Sequence, residues 1–252
     1  MKLVFATGNK GKLREAGEIL GPSFELLSSA QAGVTEDIEE TGLTLEENSI
    51  LKADFIYQRT GLDCFADDTG LEVDALGGAP GVFTARYAGE GCNFDDNMNK
   101  LLAELAALDE AARADAVKSK HSVTPPAGHS CNPDALPQVP RTARFRSVVT
   151  LILNGEKHVF EGVMEGRIAL HKAGCGGFGY DPVFIPVVSR ELLLTIPAEI
   201  AAEVLRLSDS MDAGQKVITF GDRTVAELPE EVKNAISHRG QALRAMAEWF
   251  MV

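Results

Sequence analysis

The sequence predicts an α/β protein built on a mixed β-sheet, and three observations support this fold class. The chain opens with a run of strand-forming residues, a polar turn that contains glycine, and a segment with helical periodicity. Short apolar runs and helical segments then alternate along the chain. Two alternating segments on either side of Asn154-Gly155 have the pattern of a β-hairpin.

The first elements follow from the order of residues at the start of the chain. Residues 2–6, KLVFA, are rich in strand formers, and this run stops at Thr7-Gly8-Asn9. Residues 12–20, KLREAGEIL, place their apolar side chains on one helical face, and Gly21-Pro22 ends the segment. The sequence therefore predicts that the chain begins with a strand, a turn and a helix.

A capping pattern and an apolar run predict the next helix and strand. Thr44 and Glu47 fit a capping box, so a helix is expected to begin near Thr44 and to continue to about Arg59. Residues 64–66, Cys-Phe-Ala, predict a short strand. This strand is expected to end where the polar segment 67–70 begins.

The same periodicities predict the remaining elements. They are an extended piece at 71–76, a helix at 97–107, hairpin strands at 145–153 and 158–163, a sheet extension at 166–169 and a helical region at 232–251. Two segments interrupt this order. Residues 108–142 become rich in alanine and aspartate and then in proline, serine and histidine, which predicts a long surface loop. Residues 187–219 predict a small unit with an amphipathic helix beginning at Pro197 and a strand, KVITF, at its end.

Composition limits the class of protein. Of the 252 residues, 45% are hydrophobic and 24% are charged, which is typical of a folded chain and excludes a disordered one. The formal net charge of −13 argues against a broad nucleic-acid surface, which needs a basic face. No apolar run is long enough to predict a membrane span or a secretion signal. The 4 cysteines contain no CxxC pair, so we expect reduced thiols and a cytoplasmic protein.

The first candidate binding site is the turn Thr7-Gly8-Asn9-Lys10-Gly11-Lys12. It opens a predicted helix, whose free backbone N–H groups and positive dipole end favour a phosphate. Gly8 and Gly11 permit close approach of the backbone, and Lys12 adds a positive charge. The spacing is not that of a P-loop, because Leu13 stands where Ser or Thr is required. An ordinary turn with solvated lysines explains the motif equally well.

Acidic side chains form two further candidates. Asp67 and Asp68 are adjacent at the expected end of a strand, where their charges repel each other unless a cation is shared. Ligands of α/β proteins bind at this edge of the sheet, and hard oxygen atoms favour magnesium over zinc. An Asx-turn with Gly70 in the left-handed conformation is the alternative. The Glu39-Glu40 pair, taken alone, is explained by a solvated acidic loop.

A glycine-rich aromatic segment and a late polar segment are candidates for binding a planar ring. Phe178 or Tyr180 can stack on a flat ring while Asp181 accepts hydrogen bonds from ring N–H groups. Residues 237–239, Ser-His-Arg, can contact the edge of that ring, and Lys233 can reach a phosphate. A glycine-rich turn and a helix boundary are the alternatives for these two segments.

Five motifs, taken in order, resemble those of the inosine triphosphate pyrophosphatase family, whose members are also called dITP/XTP pyrophosphatases. The motifs are TGNKGK, EETGLTLEENSILKA, ADDTGLEVDALGGAPGVFTARYAG, GGFGYDPVF and ELPEEVKNAISHRGQAL. The resemblance implies an elongated mixed β-sheet flanked by helices, in two lobes with a central cleft, and a homodimer. It also implies Mg²⁺-dependent hydrolysis of non-standard purine nucleoside triphosphates (ITP, dITP and XTP) to the monophosphate and pyrophosphate.

The resemblance also implies a role for individual residues. Glu40 and Asp68 would bind magnesium with Asp67 close by, and Asp68 would also accept a proton. The triphosphate would be held by Thr7, Gly8, Asn9, Lys10, Gly11, Lys12 and Lys52, and Thr69 would contact the substrate. The base would be held by Phe178, Gly179, Tyr180, Asp181, Lys233, His238 and Arg239. Donors on His238 and Arg239 would pair with the 6-oxo group of a purine, and the amino group of adenine would leave them unpaired.

We expect a single two-lobed domain over residues 1–252, with insertions near 108–142 and 187–219 that leave the motifs intact. A non-catalytic nucleotide-binding or interaction module on the same fold is the alternative, although a pure binder would not need the acidic residues. A relative that prefers pyrimidine or modified nucleotides is a third reading, which the SHRG and FGYD motifs disfavour.

Overall fold

A computed structural model describes residues 1–91, 93–120, 139–209 and 216–251, which form a mixed β-sheet flanked by helices. The strands are β1 Lys2–Phe5, β2 Glu25–Ser28, β3 Cys64–Val73, β4 Pro80–Gly81, β5 Thr142–Leu153, β6 Glu156–Ile168, β7 Phe184–Ser189 and β8 Val217–Thr219. The helices are α1 Lys10–Leu20, α2 Leu45–Thr60, α3 Phe94–Lys120, α4 Arg190–Leu193, α5 Ala198–Leu207, α6 Glu230–Ile236 and α7 His238–Trp249. This confirms the predicted fold class.

The sheet combines parallel and antiparallel neighbours in the order β2-β1-β3-β5-β6-β7-β8, with β4 paired to β3. β1 runs parallel to both β2 and β3. The other pairs are antiparallel, and β5 and β6 form the predicted hairpin around Asn154-Gly155. Both residues of this turn have positive φ, 51° and 84°, as a tight hairpin turn requires.

Helices cover both faces of the sheet because successive strand residues point to opposite sides. On one face, Phe5 and Phe65 pack against apolar side chains of α1 and α7. On the other, Val4 and Ala66 pack against α2. In the part of the chain that the structure describes, no helix combines the length and the hydrophobicity needed to cross a membrane.

β3 is longer than the sequence predicted. The short strand at 64–66 and the extended piece at 71–76 were expected to be separated by a polar turn, but β3 runs without interruption from Cys64 to Val73. The antiparallel ladder with β5 pairs every residue of β3, so the backbone of segment 67–70 has sheet partners. Gly70 is not in the left-handed conformation, and the Asx-turn alternative is therefore wrong.

Segment 108–142 also differs from the prediction. α3 begins at Phe94 and continues to Lys120, so residues 108–120 are helical, although they were predicted to form a loop. The alanine-rich part of this segment has good helix propensity, which explains the continuation. Residues 121–138 lie outside the described part of the chain, and β5 has begun by Thr142.

The segment at 187–219 forms the elements that its pattern predicted. Pro197 precedes α5, and β8 follows as a short strand paired with the end of β7. Elsewhere, β2 was not predicted, because Glu25–Ser28 is too short for a clear pattern. The closing helical region is divided in two at Ser237, which ends α6 and caps the start of α7 through a bond from Gly240 N to its Oγ.

β6 and α7 are in close backbone contact at Gly162. A Cβ atom there would lie 2.0 Å from the carbonyl oxygen of His238 and 2.6 Å from the nitrogen of Ala242. We therefore expect Gly162→Ala to lower the free energy of unfolding by about 1–3 kcal/mol in urea denaturation, because α7 must shift. The matched control is Gly17→Ala within α1, where a Cβ would meet no atom within 4 Å. Gly17→Ala should stabilise the protein by about 0.4–1 kcal/mol, whereas equal stability of Gly162→Ala and wild type would contradict the prediction.

Candidate active site

Two adjoining cavities bring most of the predicted site residues together. The polar cavity, about 420 Å³, is lined by residues that include Thr7, Gly8, Asn9, Lys12, Glu40, Lys52 and Asp67. The aromatic cavity, about 190 Å³, is lined by residues that include Thr69, Phe178, Gly179, Tyr180, Asp181, Lys233, His238 and Arg239. Asn9 and Lys12 line both cavities, so the two cavities adjoin at the start of α1.

The start of α1 forms the junction between the two cavities. Asn9 caps the helix, because its Oδ1 accepts hydrogen bonds from the backbone nitrogens of Gly11 (2.8 Å) and Lys12 (3.2 Å). Asn9 N in turn donates to Thr7 Oγ1. The Asn9 side chain therefore already accepts from two of the backbone N–H groups that were predicted to be free for a phosphate. Lys12 projects from the first turn and supplies a positive charge at the junction.

Asp67 is the centre of a buried ionic network below this junction. Its carboxylate accepts bonds from Lys12 Nζ (2.9 Å) and Arg239 Nε (2.9 Å), and Arg239 also pairs with the buried carboxylate of Glu15. Burial opposes ionisation of Asp67, but the positive charges of Lys12, Arg239 and Lys52 together hold its pKa well below the usual range. Burial outweighs the attraction of Asp67 at Lys12, so the pKa of this lysine is lowered.

Asp68 belongs to a second network on the opposite face of β3. Lys52 Nζ lies between two carboxylates, 2.7 Å from Asp68 Oδ1 and 2.8 Å from Glu40 Oε1. Burial raises the pKa of Asp68 above its ordinary value despite the nearby lysine. The pKa of Lys52 is also raised, because the attraction of Asp68, Asp67 and Glu40 exceeds the opposing effect of burial.

Asn48 holds this second network in place from the inner face of α2. Its Oδ1 accepts a hydrogen bond from the backbone nitrogen of Gly42 at 2.8 Å, which fixes the loop that carries Glu40. Its Nδ2 donates to Asp68 Oδ2 over 3.4 Å. The predicted capping box of Thr44 and Glu47 is confirmed and fixes the start of the same helix.

The structure brings together only part of the predicted set of magnesium ligands. In the described residues, no group of three or more His, Cys, Asp or Glu side chains is placed to hold a metal. Asp67 and Asp68 face opposite sides of β3, which separates the predicted trio. Glu40 and Asp68 do converge, because both contact the same Lys52 nitrogen. Mg²⁺ commonly binds one or two carboxylates together with substrate phosphates, a requirement that these two side chains meet. A direct metal contact of Asp67 stays a prediction.

The glycine-rich segment forms the outer wall of the aromatic cavity. Asp181 Oδ2 accepts bonds from the backbone nitrogen of Phe178 (2.8 Å) and from Lys233 Nζ (2.6 Å), so it ties the loop to α6. A Cβ at Gly177 would lie 2.0 Å from Asp181 Oδ2, and its φ is +75°, so this closure requires glycine. The Phe178 ring is half-exposed, whereas Tyr180 is buried and donates to the carbonyl of Thr84. Phe178 is therefore the better placed of the two for stacking.

His238 and Arg239 enter the cavity from the first turn of α7. The His238 ring stacks on Phe145, with centroids 4.8 Å apart and planes 14° from parallel. His238 Nδ1 is buried and makes no hydrogen bond. Burial, followed by the charge of Arg239, lowers the pKa of His238 well below its ordinary value, so the imidazole is neutral at neutral pH. His238 therefore lines the aromatic cavity as a neutral ring.

Some predicted residues lie apart from these cavities, and some important residues were not predicted. Lys10 is exposed and lines neither cavity, and Gly11 lines an adjacent one of about 310 Å³. Asp68 is not among the lining residues of either cavity, although its partner Lys52 lines the polar one. Glu15 and Asn48 were missed, although each lies on the same helical face as a predicted lysine, Lys12 or Lys52. That spacing, with a polar side chain on a buried face, is the signal by which they could have been found.

A further cavity of the described structure is lined by none of the predicted site residues. It has a volume of about 670 Å³ and lies where α5 and α6 meet α1 and α7. Its lining includes the three carboxylates of Glu18, Glu230 and Glu231 and one cationic side chain, Arg244. A polyphosphate would be repelled there, so the smaller polar and aromatic cavities are the better candidate site.

Comparison with known proteins agrees with the motifs. A family model described as the Ham1 family matches residues 3–132, 131–203 and 215–249. A dITP/XTP pyrophosphatase of Flavobacterium johnsoniae is 40% identical over 248 residues, which cover 98% of this chain and 97% of that protein. A dITP/XTP pyrophosphatase of Porphyromonas gingivalis is 40% identical over 250 residues, covering 99% of this chain and 97% of that protein.

Solved structures share the fold over nearly the whole chain. A HAM1 protein from Coxiella burnetii is 32% identical with a TM-score of 0.68 and covers 100% of this chain and 98% of its own. A nucleoside-triphosphatase, dITP/XTP pyrophosphatase, from Mycobacterium abscessus is 34% identical with a TM-score of 0.60, covering 98% of both chains. The resemblance inferred from the five motifs is thus confirmed. The chain belongs to the Ham1 family.

Proposed function

We propose that this protein hydrolyses non-standard purine nucleoside triphosphates (ITP, dITP and XTP) to the monophosphate and pyrophosphate, and so cleanses the nucleotide pool. The observation that carries the proposal is that the two cavities adjoin at Asn9 and Lys12, which line both. One cavity has cations and carboxylates for a polyphosphate, and the other has an aromatic ring and hydrogen-bonding groups for a base. The names of the relatives, dITP/XTP pyrophosphatases, support the same reaction.

In this reaction, a water oxygen forms a bond to the α-phosphorus while the bond between that phosphorus and the bridging oxygen breaks. Pyrophosphate leaves, and the proton of the water passes to a carboxylate, for which we propose Asp68. Asp68 Oδ1 is occupied by Lys52 at 2.7 Å, so Oδ2, with its long 3.4 Å contact to Asn48, is the oxygen available to the water.

The charge of the substrate is balanced by side chains of the polar cavity. Lys12 and Lys52 supply positive charge, and Asn9 preorganises the turn against which the phosphates would rest. We propose that Glu40 and Asp68 hold a divalent ion, and magnesium in particular. When bound, Mg²⁺ would stabilise negative charge on the phosphate oxygens.

The base would be selected in the aromatic cavity. Phe178 offers a stacking surface, and Arg239 and the neutral His238 offer hydrogen-bonding groups at the cavity wall. An oxygen at position 6 of the purine can accept from Arg239, whereas an amino group there would leave a buried donor unpaired. Asp181 is engaged by Lys233, so we propose that it acts by holding the loop as well as by facing the base.

We infer further that the protein is a homodimer that acts in the cytoplasm, where its substrates arise, and that it binds neither nucleic acid nor membranes. Light scattering at several protein concentrations would test the dimer. A mass of about one chain at all concentrations would refute it. The single two-lobed domain with insertions near 108–142 and 187–219 also stays a proposal.

A substrate panel tests the proposed reaction. ITP, dITP, XTP, ATP and GTP are incubated with the protein and Mg²⁺, and pyrophosphate and orthophosphate are measured separately. We expect pyrophosphate from the first three nucleotides, at least about 10-fold slower release from ATP, whose 6-amino group leaves a donor unpaired, and no release when EDTA removes the metal. Orthophosphate as the only product would reject the proposal.

The alternative is a nucleotide-binding module without catalysis. Measurable binding of ITP with no hydrolysis in the presence of Mg²⁺, Mn²⁺ or Co²⁺ would favour it. Equal rates for purine and pyrimidine triphosphates would instead favour a relative with a different substrate preference.

A further inference from the structure

The rim of the aromatic cavity carries a phenylalanine that lies outside all five family motifs. Phe94 is the first residue of α3, and it lines this cavity together with Phe178. The two rings are exposed to similar extents, 43% for Phe94 and 39% for Phe178. Exposure of a large apolar ring at a cavity is typical of a ligand contact, because the ring becomes buried when the ligand binds.

The first turn of α3 is held firmly on both sides of Phe94. Asn93 caps the turn by accepting from Asp95 N at 2.8 Å, and Asp95 pairs with Lys172 Nζ at 2.5 Å. The buried Asn97 binds the backbone of Ala85 (2.8 Å) and Ala88 (2.6 Å), which belong to the neighbouring turn. Phe94 is therefore presented by a rigid support, which reduces the entropy lost when a ligand binds.

The faces of the Phe94 ring are available for a planar ligand. Within the described ranges, no aromatic ring and no cation stacks on Phe94. Phe178, by contrast, already has Lys233 Nζ at 4.5 Å and the Arg239 guanidinium at 5.6 Å from its centroid. Phe94 and Phe178 line the same cavity, and no ring contact joins them in the described part of the chain.

We propose that Phe94 is a base-stacking residue and that the purine lies between the Phe94 and Phe178 rings. This inference rests on the proposed function and adds a residue to the same site. Stacking on an aromatic ring depends little on which base is present. Phe94 therefore contributes affinity for any purine, and selection of the base is left to the hydrogen-bonding groups of His238 and Arg239.

Kinetics of Phe94 variants provide the first test. We expect Phe94→Ala to raise KM for ITP by about 5- to 100-fold, with kcat changed by less than about 2-fold, because stacking contributes to binding of substrate and transition state alike. The ratio of ITP to GTP turnover should be the same in Phe94→Ala as in the wild type. Phe94→Trp, which keeps an aromatic ring, should retain the wild-type KM. The matched control is Phe83→Ala, which removes a ring with 54% exposure that lines a different cavity.

Tryptophan fluorescence provides a test that does not depend on turnover. Trp249 is the only tryptophan of the chain, so the double variant Phe94→Trp/Trp249→Phe carries a single reporter at the cavity rim. We expect inosine 5′-monophosphate to quench this reporter at saturation and inorganic tripolyphosphate, which has no base, to leave it unchanged. Quenching by both compounds alike would overturn the inference.

The two tests separate the inference from the proposed function. If the wild type hydrolyses ITP but Phe94→Ala retains the wild-type KM, the reaction stands and the role of Phe94 is refuted. If the wild type hydrolyses no nucleotide but inosine 5′-monophosphate quenches the reporter, the proposed function fails and the role of Phe94 in base binding stands.

Discussion

Replacement of Asp68 by asparagine is expected to slow pyrophosphate release from ITP by about 10²- to 10⁴-fold. Asparagine has nearly the same size, and its amide oxygen can still accept a hydrogen bond from Lys52. It carries no negative charge for a metal ion and cannot take up the proton of the attacking water. The loss should appear in kcat more than in KM, because the phosphates and the base keep their other contacts.

The Asp68→Asn protein should nevertheless be folded. Burial raises the pKa of Asp68, so the folded state binds this proton more tightly than the unfolded state, and the ionised carboxylate lowers the free energy of unfolding at pH 7. Asp68→Asn removes this destabilising charge, but it also leaves Glu40 as the carboxylate that pairs with Lys52. We expect the two effects to leave the free energy of unfolding within about 1 kcal/mol of wild type in urea denaturation.

A second carboxylate of the same region serves as the control. Asp54 lies on α2 and forms a surface ion pair with Lys157 at 2.7 Å, away from both cavities. Asp54→Asn should keep the wild-type rate, because it removes a carboxylate from the same helix as Lys52 without touching the site. A rate near wild type in Asp68→Asn would remove Asp68 from the mechanism.

Local signals explain which elements the sequence could predict. The capping box of Thr44 and Glu47 and the turn at Asn154-Gly155 are formed by neighbours in the chain, so their residues carry the whole signal. β3 was predicted less well, because the pairing of segment 67–70 depends on β5, more than 70 residues later in the chain. Aspartate and glycine are poor strand formers, and the long-range ladder overrides that propensity.

The same distinction applies to the candidate site. The motifs predicted which residues belong to the site, because a motif can be read from the sequence without knowledge of the tertiary structure. They did not predict that Asp67 would pair with Lys12 and Asp68 with Lys52, since this follows from the faces of β3 that α1 and α2 cover. The pairing of Glu15 with Arg239 likewise depends on the packing of α7 against α1.

Replacement of Arg239 by methionine should have the largest effect on stability of any substitution considered. Its guanidinium is buried and pairs with the carboxylates of both Asp67 and Glu15. Methionine fills a similar volume without charge, so Glu15 is left buried without its cation and Asp67 keeps Lys12 alone. Removal of one partner of a buried ion pair costs about 3–5 kcal/mol. We expect a loss of that size in urea denaturation, together with loss of ITP hydrolysis.

A double variant separates charge from packing in this result. If unpaired charge causes the loss, Glu15→Gln/Arg239→Met should recover a large part of the stability but none of the activity, since the donor for the base is still absent. The surface control is Arg206→Met, whose exposed pair with Glu203 should contribute little to the free energy of unfolding. If the double variant is no more stable than Arg239→Met, the arginine stabilises α7 by packing. The ionic network would then contribute to substrate binding more than to the free energy of unfolding.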